Sequence, residues 1–248
     1  MPRYSAQSGL FVFRNVMTEQ LELDKKKKIS DKEIYQEIFD AILSFRLRPG
    51  TRLTEENLSK IFNVGRTTIR SVLLRLSQDH IIEIKPNKGA FIASPTAKQA
   101  KDILDARKLI EVAIVKDVIK YATNSDYELL KKIVKAEQEH IDHEHTVEVI
   151  QLGGDFHLML AKISKNATLE RIVTALVPQT SLVIVLYEQP DAPKCSHFEH
   201  FELIDAMQKG QVEKATTLMH HHIHGIEMRL KLDKKEVSDD LVDIFKKR

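Results

Sequence analysis

One stretch of the chain, NVGRTTIRSVLLRL at residues 63–76, constrains the fold more than any other. It opens with a short turn signal, continues with Arg and Thr residues, and then carries apolar residues at helical spacing. Ile69, Val72, Leu73 and Leu76 follow the i, i+3, i+4, i+7 pattern of a helix that packs one face on a core. The pattern predicts an amphipathic helix whose first turn presents cations and hydroxyls to solvent.

The flanking segments complete a small domain. Ser30 and Glu33 fit a capping box ahead of an apolar stripe, and Thr54 fits the N-cap of a second short helix. Further along, IIEIK, PNKG and AFIAS are typical of a strand, a turn and a second strand. Three short helices and a β-hairpin predict a winged helix-turn-helix over residues 29–95. Residues 1–28 show no sustained periodicity, and we expect a flexible N-terminal arm.

The rest of the chain is predicted to be almost entirely helical. From Thr96 onward apolar residues recur at helical spacing, and the whole chain contains only 8 glycines. The sequence therefore predicts a mainly α protein, with an all-helical bundle over residues 96–232 and a C-terminal tail over residues 233–248. Pro178 is expected to kink or split the helix that contains it.

Composition and charge indicate the cellular setting and the kind of partner. No apolar run approaches the roughly 18 residues of a membrane span, and the N-terminus lacks a signal-peptide pattern. A single cysteine, Cys195, excludes an intramolecular disulfide and suits a reducing cytoplasm. Residues 1–95 carry 16 Lys and Arg against 11 Asp and Glu, whereas the remainder carries 22 against 25. This asymmetry indicates a polyanion partner for the N-terminal part.

The predicted helix-turn-helix points to double-stranded DNA. Such a domain places its second helix in the major groove and touches base edges with the first turn of that helix. Arginine can bond O6 and N7 of guanine together, and threonine can contact a thymine methyl group. The hairpin tip can reach a neighbouring groove or a phosphate. The predicted DNA contacts are Arg66, Thr67, Thr68 and Arg70 on the helix start, Arg75 further along it, and Lys88 and Gly89 at the hairpin tip.

Residues 47–94, LRPGTRLTEENLSKIFNVGRTTIRSVLLRLSQDHIIEIKPNKGAFIAS, resemble the DNA-binding domain of GntR-family bacterial transcription regulators without gaps. We expect a homodimer, because a two-fold protein reads a palindromic operator and doubles its phosphate contacts. Four positions depart from the family pattern and leave the operator sequence open. They are Gly65 where serine is usual, Thr68 where proline is common, Ser71 in place of glutamate, and Asp79-His80 in place of the glycine before the wing.

Ten of the eleven histidines lie in the helical half. His157, His200 and His222 stand out because each belongs to a separate predicted helix. Three neutral imidazoles that converge from separate helices suit Zn²⁺ or Ni²⁺. Most members of the run at residues 220–224 are expected to be solvated, because they point in different directions around a helix. From spacing alone, convergence of the three histidines stays open.

Residues 100–230 resemble the helical effector domain of the FCD group, the FadR-like branch of the GntR family. The segments DARKLIEVAIV, DFHLMLAKISKNATL and EHFELIDAMQKGQVEKATTLMHHHI carry the resemblance. In many members an aspartate and three histidines surround a metal, and the histidines correspond to His157, His200 and His222. The aspartate position is Gly153, which cannot ligate, and Asp155 is expected to point away. Water or an effector carboxylate is then expected to complete the metal coordination.

Arg107 lies on a predicted apolar stripe of the first bundle helix. An arginine among apolar neighbours either reaches solvent or faces a buried anion. The resemblance places it in the effector cavity, where its planar fork can hold a carboxylate with two hydrogen bonds. Asn166 is a candidate polar partner or a helix cap. Tyr187 is a candidate effector contact or a core residue.

These features predict a cytoplasmic, homodimeric DNA-binding regulator, expected to be a repressor, which responds to a small organic acid bound with Zn²⁺ or Ni²⁺. Two alternatives stay open. One is a metal-dependent enzyme that activates water at the three-histidine site, although no general base is evident and the DNA-binding half would then lack a purpose. The other is an architectural DNA-binding protein with a tightly packed bundle and no ligand.

Overall fold

The computed structural model describes residues 29–189 and 197–232; the predicted arm, the predicted tail and Cys195 lie outside them. This part of the chain is mainly α-helical, as predicted. The helices are α1 Asp31–Leu43, α2 Glu55–Phe62, α3 Arg66–Gln78, α4 Ala97–Tyr121, α5 Asn124–Asp142, α6 Thr146–Ile163, α7 Ala167–Tyr187, α8 His197–Gln208 and α9 Val212–Arg229. The strands are β1 Arg52–Leu53, β2 Ile82–Lys85 and β3 Gly89–Ile92.

The helix-turn-helix forms where the sequence signals place it. Ser30 and Glu33 make the predicted capping box at the start of α1, and the Thr54 hydroxyl caps α2. Helix α2 ends at Asn63, which takes a left-handed φ of 52°, and Gly65 is the N-cap of α3. The apolar stripe of α3 is buried, so its opposite face and first turn are left to solvent. The buried residues are Ile69, Val72, Leu73 and Leu76.

The wing has one strand more than the predicted hairpin. The sheet order is β1-β3-β2, and both pairings are antiparallel. Arg52 lies opposite Phe91, and Ile82 lies opposite Ile92. The two-residue strand β1 therefore fixes the wing to the segment that leads into α2. The additional pairing holds the β2–β3 tip in place beside α3.

The bundle is built from helices with strong start signals. Thr96 and Thr123 form capping boxes at the starts of α4 and α5. Helix α7 runs through Pro178 without a break, so the expected split does not occur. An 18-residue window of α7 has a mean hydropathy of 1.5, enough by length and composition for a membrane span. It packs against α4 and α6, however, which accounts for its apolar sequence as that of a bundle helix.

The winged helix and the bundle are in direct contact. Leu182 of α7 belongs to the apolar core of the winged helix, and Val147 and Ile150 of α6 pack against that core. The Gln151 side-chain amide donates a hydrogen bond of 2.5 Å to the Asp40 carboxylate on α1. Helices α6 and α7 thus connect the interior of the bundle to the DNA-binding domain.

Candidate DNA interface and metal centre

The first turn of α3 is open to solvent. Arg66 and Thr67 are exposed, and Thr68 is half-buried. Because the apolar face of α3 is buried, the helix can offer these side chains to a groove without disturbing its packing. This is the arrangement that a major-groove recognition helix requires.

Arg70 is exposed but already bound to a carboxylate within the chain. Its Nε and Nη2 donate to Oε1 and Oε2 of Glu55 at 3.0 and 2.9 Å. The hydrogen bond from Arg70 lowers the pKa of Glu55. Exposed ion pairs contribute little to stability, so a DNA phosphate or base can compete for this arginine. The pair nevertheless places an anion on the predicted DNA face.

The remaining predicted contacts surround α3. Arg75 is exposed, and its guanidinium lies 4.6 Å from the centroid of the Tyr35 ring. Lys88 is exposed at the wing tip, and Gly89 has a left-handed φ of 99° that favours glycine. A Cβ at Gly89 would lie 3.5 Å from Nε of Arg52. Arg52 is therefore a further exposed cation beside the wing tip, in addition to the predicted contacts.

Three histidines converge inside the bundle. His157 of α6, His200 of α8 and His222 of α9 are all buried, and their ligating nitrogens lie within 4.8 Å of one another. Nε2 of His222 is 3.2 Å from Nε2 of His157 and 3.2 Å from Nε2 of His200. The structure thus brings together the three histidines that the resemblance selected.

Each of these histidines is held from behind by a glutamate. Nδ1 of His157 donates to Glu111 of α4, Nδ1 of His200 donates to Glu137 of α5 at 2.8 Å, and Nδ1 of His222 donates to Glu199 of α8 at 2.8 Å. Carboxylates behind the rings are typical of metal centres, where they fix the tautomer and make the ligand more basic. None of the three glutamates was among the candidate site residues predicted from the sequence. Two local signals were present: Glu199 precedes His200, and Glu111 lies four residues after Arg107.

The protonation states favour a cation at the centre. Burial lowers the pKa of His157 to about 4, although Glu111 partly opposes it. Burial, together with His200 and His157, lowers the pKa of His222 well below its usual range. Where Nδ1 of each ring keeps its proton and donates it to the glutamate, the Nε2 lone pairs of the three rings face one another, and a cation between them relieves their repulsion. Two Zn–N bonds of about 2.05 Å at a tetrahedral angle separate their nitrogens by about 3.3 Å, so the donor set fits such an ion.

Arg107 lies in the same interior and is 2% exposed. Its Nε donates to Oε1 of Glu111 at 2.5 Å, and Oε2 of that glutamate accepts from His157. Burial alone would raise the pKa of Glu111, but Arg107 and His157 outweigh it and lower the pKa to about 2. Nη2 of Arg107 is buried and has no hydrogen-bond partner among the described residues. The arginine therefore has a protein anion on one edge and an unsatisfied donor on another.

Gly153 and Asp155 do not add a ligand to the three histidines. A Cβ at Gly153 would lie 3.3 Å from Oε1 of Glu137, so a carboxylate of another helix lies next to this position. Asp155 is half-buried and is not part of the convergent group. Burial raises its pKa to about 6. Of these three residues of α6, only His157 belongs to the convergent group.

Asn166 and Tyr187 have structural partners away from the histidines. Asn166 is the N-cap of α7, and its side-chain oxygen accepts from the backbone N–H of Leu169. The hydroxyl of Tyr187 donates to the carbonyl oxygen of Pro95 at 2.7 Å, in the linker between the two domains. Of the two roles considered for Asn166, effector contact and helix cap, the structure contains the helix cap. The hydrogen bond of Tyr187 lies at the junction between the two domains.

Comparison with known families decides the assignment. The family model described as "Bacterial regulatory proteins, gntR family" matches residues 30–92. The family model described as "FCD domain" matches residues 102–225, and this second match covers half of the chain. The chain belongs to the GntR family of bacterial regulatory proteins. GntR regulators bind DNA and small-molecule effectors, so this membership places the chain among transcription regulators rather than enzymes.

Individual relatives of this GntR regulator cover most of its length. The HTH-type transcriptional repressor RspR of Escherichia coli K12 is 22% identical over 224 residues, which span 90% of this chain and 98% of that protein. The repressor NanR of Enterobacter sp. 638 is 25% identical over 227 residues, spanning 81% and 85%. Among solved structures, E. coli McbR/YncC has the same fold, with a TM-score of 0.68 and 17% identity over 78% of this chain and 93% of that one.

Proposed function

We propose that this GntR regulator is a cytoplasmic, homodimeric repressor controlled by a divalent metal ion and a small organic carboxylate. The observation that carries the proposal is the set of three buried histidines, each backed by a glutamate, in a domain that contacts the winged helix. Two relatives of similar length are described as transcriptional repressors, which supports the sign of the regulation. We include a homodimer in the proposal because a two-fold protein would match a palindromic operator.

The metal would be held by Nε2 of His157, His200 and His222, with Zn²⁺ or Ni²⁺ favoured by three imidazoles. When bound, it supplies a Lewis-acidic anchor for an anion. Burial lowers the pKa of His157 and His222, which favours their neutral, metal-binding form, and Glu111, Glu137 and Glu199 orient the three rings. If the protein supplied three histidine ligands, water or an effector carboxylate would be needed to complete the coordination of the metal.

Arg107 is the proposed second anchor for the effector. Its buried Nη2 lacks a partner among the described residues, and a buried unsatisfied donor costs about 1–3 kcal/mol. A carboxylate that accepts from Nη2 would remove this cost and gain a charge-assisted hydrogen bond. Glu111 fixes the other edge of the guanidinium, so the arginine is oriented before the effector arrives.

Helix α6 is the proposed connection between effector and operator. It carries His157 in the metal centre, and its Val147 and Ile150 pack on the winged-helix core. A ligand that shifts α6 would therefore alter the placement of the two recognition helices in the dimer. The coupling is allosteric if the ligand binds the operator-competent state less tightly than the other state.

Native mass spectrometry and operator titration together test this function. Native spectra of the purified protein should show a dimer that carries metal and any co-purified acid. An operator selected from random duplexes should bind tightly, and a panel of small carboxylates should contain at least one that weakens binding only when metal is present. An operator affinity that no carboxylate and no metal changes would contradict the proposed regulation.

Arg66→Ala should weaken operator binding by about 1–3 kcal/mol, roughly 5- to 150-fold, and relax the base preference at one position of each half-site. The reason is that Arg66 is exposed at the start of α3, where base edges are read. Fluorescence anisotropy at one fixed salt concentration measures the change. Lys98→Ala removes an exposed cation from the first turn of α4 and should leave affinity unchanged; equal effects of the two variants would argue against base recognition by Arg66.

Glu55→Ala should strengthen binding to duplexes of any sequence, because it removes an anion from the DNA face and frees Arg70 for a phosphate. A gained phosphate contact should steepen the dependence of log K on log salt by about 0.9. In an Arg70→Ala protein, Glu55→Ala should give a smaller gain without the steeper salt dependence, because only the removal of the anion remains. A gain of the same size in that background would show that Arg70 does not reach the DNA.

A further inference from the structure

A second group of metal-ligating side chains lies outside the three-histidine centre, at the turn between α5 and α6. Nδ1 of His140 is 3.0 Å from Nδ1 of His145. Together with a carboxylate oxygen of Glu148, these ligating atoms all lie within 4.8 Å of one another. His145 is exposed, and the other two side chains are half-buried. The function proposed above makes no use of this group.

The backbone fixes this arrangement. His140 lies in the last turn of α5, His145 is the N-cap of α6, and Glu148 lies in the first turn of α6. The N–H of His145 donates to the carbonyl of His140 at 2.9 Å, and Glu144 takes a left-handed φ of 58°. The two imidazoles are therefore brought together by a closed turn and need little ordering to share a ligand.

The chemistry of the group suits a transition-metal cation. Two imidazoles and one carboxylate are ligands that Zn²⁺, Ni²⁺ and similar ions accept. Residues 139–148 contain four Asp and Glu and no Lys or Arg, so the local charge also favours a cation. Two neutral imidazoles can share only one proton between their facing nitrogens, whereas a cation can bind both rings and Glu148 at once.

The neighbouring His143 serves as an internal contrast. Its ring stacks on His145 with centroids 5.7 Å apart, but its Nδ1 lies 2.6 Å from the carbonyl oxygen of Glu139. It is exposed and lies in the same turn, yet it is not part of the convergent group. Removing it changes the histidine content of the turn without removing a member of that group.

We propose that His140, His145 and Glu148 form a second binding site for a divalent transition-metal ion. The site is weaker than the interior one, because it is partly exposed and water competes for its ligands. The site joins the end of α5 to the start of α6. Two of its ligands, His145 and Glu148, flank Val147, which packs on the winged-helix core. A filled site therefore stabilises the helix start that borders the domain junction.

Zinc titration of the full-length, EDTA-stripped protein tests the proposal, with calorimetry and native mass spectrometry as readouts. The double variant His140→Ala, His145→Ala should bind one Zn²⁺ per chain fewer than the wild type. His143→Ala should match the wild type. Equal stoichiometry in the wild type and the double variant, or the same loss in His143→Ala, would overturn the site. The test compares the number of Zn²⁺ ions bound per chain in the wild type and in the variant. The difference between the two numbers is the same whether or not the interior histidines bind metal.

Glu148→Gln provides a second test that keeps both histidines and the turn. An amide oxygen is a poorer metal ligand than a carboxylate. The affinity of the weaker Zn²⁺ site should therefore fall further, and the affinity of the tighter, interior site should stay unchanged. Far-UV circular dichroism checks that each variant is folded. Unchanged affinity of the weaker site in Glu148→Gln would exclude the carboxylate from that site.

Discussion

Glu111→Ala is expected to lower the free energy of unfolding by about 3–5 kcal/mol, the usual cost of removing one partner from a buried ion pair. Glu111 is 1% exposed and accepts from both Arg107 and His157. Without it, the Arg107 guanidinium stays buried with its main counter-charge gone, and Nδ1 of His157 loses its acceptor. The loss should appear in urea denaturation as a lower midpoint at unchanged slope.

Two controls separate this network from general effects of charge removal. Asp105→Ala removes a carboxylate that lies earlier on α4, where it pairs with Lys101 and Lys108 near the surface. Its cost should stay below about 1 kcal/mol. The double variant Arg107→Met, Glu111→Leu removes both charges and should be more stable than Glu111→Ala alone. All unfolding is measured with EDTA, so that a lost metal does not enter the comparison.

A loss below about 1 kcal/mol in Glu111→Ala would contradict the buried network. It would mean that water or a rearranged side chain reaches Arg107 easily. The same outcome would weaken the effector proposal, because an arginine with free access to water gains little from an effector carboxylate. The stability measurement therefore also bears on the orientation of Arg107.

The DNA-binding half could be predicted closely from the sequence, because its signals are local. The capping residue Ser30, the turn at Asn63 and the apolar stripe of α3 each act within a few residues, and the structure contains all three. Strand β1 was missed because two residues cannot show an alternation pattern. The pairing of Arg70 with Glu55 was also missed, since it joins residues on two helices whose crossing the sequence does not specify.

The three-histidine group and its surroundings could be predicted only in part. The resemblance singled out the three histidines, but the glutamates behind them come from α4, α5 and α8, and their distances to the rings depend on how the helices pack. The i, i+4 spacing of Arg107 and Glu111 was visible in the sequence. That such a pair is buried, and not on a solvated face, follows only from the position of α4 between its neighbours.

His222→Ala should reduce the affinity of the interior site for Zn²⁺ by well over 100-fold. Changes to residues behind a metal ligand typically cost 10- to 100-fold, and removal of a ligand costs more. His222 is the central member of the group, since its Nε2 is 3.2 Å from both of the other rings. Its loss leaves two histidines and a void. Competition with a chromophoric chelator measures the affinity.

His221→Ala is the matched control for this prediction, because it removes an exposed histidine from the adjacent position of α9 and should leave the affinity unchanged. Glu199→Ala should fall between the two, with a loss of about 10- to 100-fold, since it removes the acceptor of Nδ1 of His222 and keeps the ligand. Metal at 100 times its dissociation constant should stabilise the wild type by about 2.7 kcal/mol, and the His222→Ala protein hardly at all. An equal affinity loss in His221→Ala and His222→Ala would place the bound metal elsewhere on α9.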